Sequence, residues 1–251
     1  MDQVVSALAE QHAELSTLLA PLGDADWERP SRCEGWTVAD VVLHLAQTDE
    51  MAIASADGRF GEAVERLAGD LGPANEVDDA VALMVASERG QSGPMVRQRW
   101  QAGADELRRA LRAGDPHRRV QWLAGEMSVR TLATTRLAET WIHTGDVAAG
   151  LGATVMPTDR LRHIARLAWR TLPYAFARAG RELRGPVAFE LHGPTGERWD
   201  FAPDGDAATT IRGDALELCL VAARRLEPGD TGLRGDGPDA GAVLELVRTY
   251  A

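Results

Sequence analysis

Apolar residues recur every three or four positions through most of the N-terminal part of the chain, and this spacing predicts helices. Over residues 2 to 21, Val4, Val5, Leu8, Leu15, Leu18 and Leu19 form one stripe with His12 beside it. Thr37 offers an N-cap, and Asp40, three residues on, favours the positive end of a second helix running from Val38 to about Ala56. In that helix Val41, Val42, Leu45 and Ala52 point inward, while Asp40, His44, Gln47 and Thr48 share another face. Residues 58 to 93 are broken by Pro73 and several glycines, with short helical pieces near Glu62 to Ala68 and Val77 to Arg89. Pro94 opens a third long helix ending near Ala113, with Val96, Trp100, Leu107, Ala110 and Leu111 apolar. A connection over 119 to 128 leads to a fourth, capped by Ser128 and stopped by Gly150 and Gly152.

Four principal helices within residues 1 to 152 predict a four-helix bundle. After Pro157 the pattern changes. Thr158 to Gly180 reads as a helix kinked at Pro173. Val187 to Leu191 and Arg198 to Phe201 alternate around a turn, which predicts a hairpin. A strand at Ala208 to Ile211, a helix from Asp214 to Arg225, a strand near Gly232 to Arg234 and a helix from Pro238 complete a small α+β domain over residues 157 to 251. The expected fold class is therefore mixed, an α-helical bundle followed by an α+β unit.

Composition narrows the function. The formal net charge is -11, and every basic residue is Arg. That balance disfavours a phosphate backbone as partner, so no nucleic acid is expected. No apolar run approaches the ~20 residues of a membrane helix, so no membrane is expected either. The N-terminus lacks a basic region followed by an apolar core, and a cytoplasmic location is the expectation. Cys33 and Cys219 stand alone, which excludes a disulfide framework or a Cys-rich zinc site.

The candidate chemistry centres on Arg136-Leu-Ala-Glu139-Thr-Trp-Ile-His143-Thr-Gly-Asp146. Glu139 and His143, four apart on a helix, leave the same face and can chelate one divalent cation. They also read as an ordinary surface Glu and a partly buried His. Arg136 and Asp146 extend this polar stripe by one turn on either side. His44 lies among apolar neighbours with Asp40 one turn upstream, an arrangement that suits a metal-bound imidazole supported by a carboxylate and equally a buried structural His. The bundle places the second and fourth helices where His44 can meet Glu139 and His143.

Two separated motifs carry a resemblance. Gly35-Trp36-Thr37-Val38-x-Asp40-Val-Val-x-His44-Leu45-Ala46-x-Thr48-Asp49, with Arg136-Leu-x-Glu139-Thr-Trp141-x-His143-x-x-Asp146, resembles the mycothiol-dependent maleylpyruvate isomerase family of DinB-like metal-binding bundles. Leu161-Arg162-His163-Ile164, Gly213-Asp-Ala215-Leu-x-Leu-Cys219-Leu-Val and Arg224-Arg225 are similar to the sterol-carrier-like C-terminal domain of one subfamily. The resemblance implies His44, Glu139 and His143 as three ligands of a divalent metal, usually zinc, with a fourth position open. It implies a thiol cofactor, mycothiol, at that position, and isomerisation of, or S-transfer to, a small electrophilic substrate.

Arg136 is the candidate to face the electrophile, with an ion pair to Asp146 or Glu139 as its structural alternative. Arg224 and Arg225 are further catalytic candidates from the second domain, although a helix C-terminus attracts Arg for its dipole alone. Asp40, Thr48, Trp122, Trp141 and His163 are candidates for the substrate pocket; for the tryptophans, core is the simpler role. Two other functions use the same residues. A water in the fourth position would make a hydrolase, lyase or rearrangement enzyme, and a structural metal would leave a non-catalytic small-molecule binding protein.

Overall fold

The computed structural model describes residues 1–68, 77–123 and 125–249. Contacts divide the chain into two compact units, Met1–Val155 and Met156–Ala251.

The first unit contains helices α1 (Asp2–Leu19), α2 (Asp24–Trp27), α3 (Val38–Ala56), α4 (Phe60–Ala68), α5 (Val77–Ser87), α6 (Gly93–Ala113) and α7 (Val129–Leu151). Between α6 and α7 lies a hairpin of β1 (Arg119–Trp122) and β2 (Gly125–Ser128). The four long helices α1, α3, α6 and α7 form the bundle, α3 packing on α6 and α7 and α1 on α7 and α6. Helix α3 starts where Thr37 predicts. Thr37 Oγ1 accepts the Asp40 N–H at 3.2 Å and Asp40 Oδ2 accepts the Thr37 N–H at 3.0 Å. This reciprocal pair satisfies two orphan donors of the first turn, a contribution of about 1 kcal/mol.

The expected polar face of α3 does not meet solvent. Asp40, His44, Gln47, Thr48 and Asp49 are all buried, because α4, α5 and β1 cover what α6 and α7 leave open. Gln47 spends its amide N–H groups on the Met84 carbonyl and the Glu88 carboxylate, each at 2.9 Å. In this way a hydrophilic residue is used to dock α5.

Gly150 corrects the expectation that it stops α7. The helix runs to Leu151, and Gly152, at φ 69°, ends it. The job of Gly150 is contact. A Cβ there would stand 2.5 Å from the Pro30 carbonyl oxygen, so the loop before α3 rests on α7 at this residue. The Arg32 N–H to Asp146 carbonyl bond, 3.2 Å, fastens the same loop one turn earlier.

The second unit holds α8 (Leu161–Arg170), α9 (Leu172–Arg178), β3 (Val187–His192), β4 (Arg198–Phe201), β5 (Thr209–Asp214), α10 (Ala215–Ala222), β6 (Arg234–Asp236) and α11 (Ala240–Leu246). Its sheet has the order β4-β3-β5-β6, with β3 antiparallel to β4 and parallel to β5, and β6 antiparallel to β5. Phe189, Leu191, Ile211, Leu218, Cys219, Ile164 and Phe176 make a core under the sheet. The expected kink at Pro173 is a full break at Thr171. Pro173 falls in the first turn of a separate helix, where its missing N–H costs nothing.

Candidate metal centre

His44 projects from α3 towards α7, where Glu139 and His143 stand one turn apart. His44 Nε2 lies 3.7 Å from Glu139 Oε2, and His143 Nε2 lies 3.6 Å from the same oxygen. The two imidazoles meet edge to face, with centroids 4.7 Å apart. One donor atom from each of the three residues falls within 4.8 Å of the other two. These gaps are too wide for hydrogen bonds, which run 2.7–3.2 Å. They are close to the roughly 3.3–3.5 Å separating donors that surround one zinc ion at 2.0–2.2 Å. Two imidazoles and a carboxylate are also a donor set zinc takes readily, so the residues fit a divalent cation.

The outer contacts support this fit on one side. His143 Nδ1 is 2.9 Å from Asp146 Oδ2, and Asp146 is buried. A carboxylate on Nδ1 fixes the tautomer that leaves Nε2 free to ligate. His44 Nδ1 is buried with no hydrogen-bond partner among the described residues. Instead the Trp36 ring lies against His44, centroids 5.4 Å apart.

Charge within the centre is unevenly placed. Burial pushes the His44 imidazole down to about 4, the charges of His143 and Arg136 acting the same way against Glu139. Burial also disfavours the His143 cation, but the hydrogen bond with Asp146, the Cys33 contact and the facing Glu139 carboxylate hold its pKa well above the ordinary value. For Glu139 burial works against the carboxylate, and the His143 and His44 imidazoles that face it, with the Arg136 charge, outweigh it, leaving the group well below the usual range.

A second donor group, Cys33 with His143 and Asp146, shares His143. Here the His143–Asp146 distance of 2.9 Å is a direct hydrogen bond that leaves no room for an ion between them. This cluster supports the first from behind the imidazole.

Other candidates take different places. Arg136 is 1% exposed and pairs with Asp49, 0% exposed, at 3.0 Å, a correction to the expected Asp146 or Glu139 partner. It also donates to Thr48 Oγ1 at 2.9 Å and lies over Trp122, its guanidinium carbon 6.0 Å from the ring centroid. A guanidinium so enclosed cannot face an electrophile, although its charge reaches Glu139 and His44. Thr48 donates in turn to the His44 carbonyl at 2.7 Å, and Trp122 is core. Asp40 does not support His44; it is held by Thr37 and by Arg89 at 3.0 Å. Trp141 is half-buried.

His163, Arg224 and Arg225 belong to the second unit. His163 is half-buried on α8, its pKa lowered by burial and by Arg166 and Arg162. Arg224 ends α10 in the left-handed conformation, φ 59°, usually taken by glycine. The Arg225 N–H returns to the Leu220 carbonyl at 2.8 Å, closing the cap, and the Arg224 side chain donates to the Glu245 carbonyl at 2.8 Å. Both arginines thus have capping roles within their own unit, since the Arg225 side chain donates to the Ala223 carbonyl. Sequence reasoning missed Cys33, Trp36 and Asp49. Only Asp146, three residues after His143, carried a readable signal of its partner.

A bundle with a His–Glu–His donor set between two neighbouring helices, followed by a small α+β unit, defines a class of helical metal-centre candidates. The chain belongs to the mycothiol maleylpyruvate isomerase N-terminal domain family, which matches residues 8–148. Two Mycobacterium tuberculosis proteins are similar to it: Uncharacterized protein MT0041 of strain CDC 1551 / Oshkosh and Uncharacterized protein Rv0036c of strain ATCC 25618 / H37Rv. Each is 32% identical over 248 residues, covering 98% of this chain and 95% of its own length. Among solved structures, the mycothiol-dependent maleylpyruvate isomerase and a histidine-to-alanine mutant of it superpose with TM-score 0.63 at 18% identity, over 95% of both chains. This likeness establishes a common fold, mostly helical at first with a mixed sheet after it. Among the described residues no helix is long and apolar enough to cross a membrane.

Proposed function

We propose that this chain is a metal-dependent enzyme that activates a thiol, mycothiol or a close analogue, for isomerisation of or S-transfer to a small electrophile. The observation that carries this reading is the convergence of His44 Nε2, Glu139 Oε2 and His143 Nε2 at spacings suited to one cation. Zinc is the ion that donor set favours, and three protein ligands leave a position open. A cation held there would supply Lewis acidity, lowering the pKa of a coordinating thiol so that its proton is lost to solvent near neutral pH. The likeness in fold to a mycothiol-dependent isomerase favours a thiol over water as the species activated.

The chain's own residues set the conditions. Asp146 holds the His143 ring with Nε2 towards the centre. Trp36, half-buried against His44, offers an aromatic wall. Arg136 and Asp49 form a fixed charged pair between α3 and α7, so the electrophile is met by groups other than Arg136.

The test is metal analysis of the purified protein, followed by titration of the cobalt-substituted form with mycothiol. One bound ion per chain and a new sulfur-to-cobalt charge-transfer band are expected. Bound metal without any spectral response to thiol would favour water activation instead. Absence of metal affinity would leave a binding protein and overturn the reading.

A further inference from the structure

We propose that Cys33 is a positioning residue for the metal centre, acting on His143 through Asp146. Asp146 Oδ2 is shared by two donors on the same side: the His143 Nδ1–H at 2.9 Å and the Cys33 thiol at 3.2 Å. The sulfur itself is 3.9 Å from His143 Nδ1. The two ring nitrogens face opposite edges of the imidazole, and Nε2 is the one turned to Glu139. The thiol therefore sits behind the ring, on the side away from Glu139, and of its two contacts there the 3.2 Å bond to the carboxylate is the shorter.

The position of Cys33 is built by its backbone. Its N–H donates to Ser31 Oγ at 3.1 Å, and its carbonyl accepts the Trp36 N–H at 3.0 Å. The preceding residue, Arg32, donates its N–H to the Asp146 carbonyl at 3.2 Å, and Pro30 rests on Gly150. The loop is thus tied to the same turn of α7 that carries Asp146. A carboxylate oxygen bearing two fixed donors has little freedom to rotate, and neither does the imidazole it orients. Groups in this outer position typically change metal affinity 10–100-fold when removed.

This inference rests on the metal-centre reading, and the experiment separates the two. Zinc affinity of the protein without added mycothiol is measured by chelator competition, alongside a urea midpoint for each variant. Absence of wild-type affinity overturns both readings. With wild-type affinity established, Cys33→Ala is expected to weaken zinc binding about tenfold with little change in urea midpoint. Cys33→Ser, whose hydroxyl can donate to the same oxygen, is expected to recover most of the loss. Because the thiol acts through the carboxylate, Cys33→Ala should add nothing further in an Asp146→Asn background. Unchanged affinity in Cys33→Ala, or an equal loss in both backgrounds, would overturn the proposal. So would a cobalt–thiolate band that vanishes with Cys33→Ala, since that would make the sulfur a ligand.

Discussion

Two charged clusters bridge the same pair of helices, α3 and α7, and they are completed differently. In one, Arg136 of α7 meets Asp49 of α3 at 3.0 Å, and Thr48 takes another guanidinium N–H. In the other, His44 of α3 meets Glu139 and His143 of α7 across gaps of 3.7 and 3.6 Å. The first cluster is closed by direct contacts. The second brings three donors together at distances none of them can bridge with a hydrogen bond. A buried carboxylate needs a positive partner; Asp49 has the fixed Arg136 guanidinium in direct contact, whereas Glu139 faces two imidazoles across wider gaps.

The sharpest way to break this contrast is to open the closed cluster. Asp49→Ala leaves the Arg136 guanidinium buried without its carboxylate, and a loss of about 3–5 kcal/mol in unfolding free energy is expected by urea denaturation. The open cluster should respond in the opposite sense. His143→Ala is expected to lower zinc affinity by at least about 100-fold while the urea midpoint of the metal-free protein changes little. A collapse of the fold in that variant would show that the donors are structural.

Acid stability sharpens the comparison. Burial, aided by Arg108 and Arg136, drives His12 down to about 3. Its imidazole is neutral in the folded chain and charges more readily once unfolded, so its contribution fades as pH falls below about 6.5. Asp49 runs the other way. Burial, only partly offset by Arg136, raises its carboxyl to about 6, so protonation through that range favours the folded state. In His12→Gln the urea midpoint should therefore fall less steeply between pH 7 and pH 4.5 than in the wild type; equal slopes would remove His12 from the account. The smallest effect expected is Thr48→Val, which takes one hydrogen bond from Arg136 and should cost about 1 kcal/mol.

The parts of this site legible in the sequence were those governed by local spacing. Thr37 and Asp40 announced the start of α3, and the four-residue interval from Glu139 to His143 put two donors on one face. The bundle brought His44 within reach of that pair, and the resemblance implied its role as a ligand. What stayed hidden depends on how helices are rotated against each other: that Arg136 finds Asp49 across the bundle, and that Asp40 turns to Arg89. Cys33 and Trp36 lie in a loop without periodicity, where no pattern tells which side chains turn inward. The hairpin β1–β2 was read as a mere connection, because two four-residue strands carry too little alternation to be seen.

One missing methyl group ties these parts together mechanically. With only a hydrogen at position 150, the segment bearing Cys33 and Trp36 can lie flush on the helix that bears Glu139 and His143. Side and floor of the centre then travel as one piece. An alanine at that residue would act as a wedge, prising the segment outward and carrying the sulfur and the indole with it.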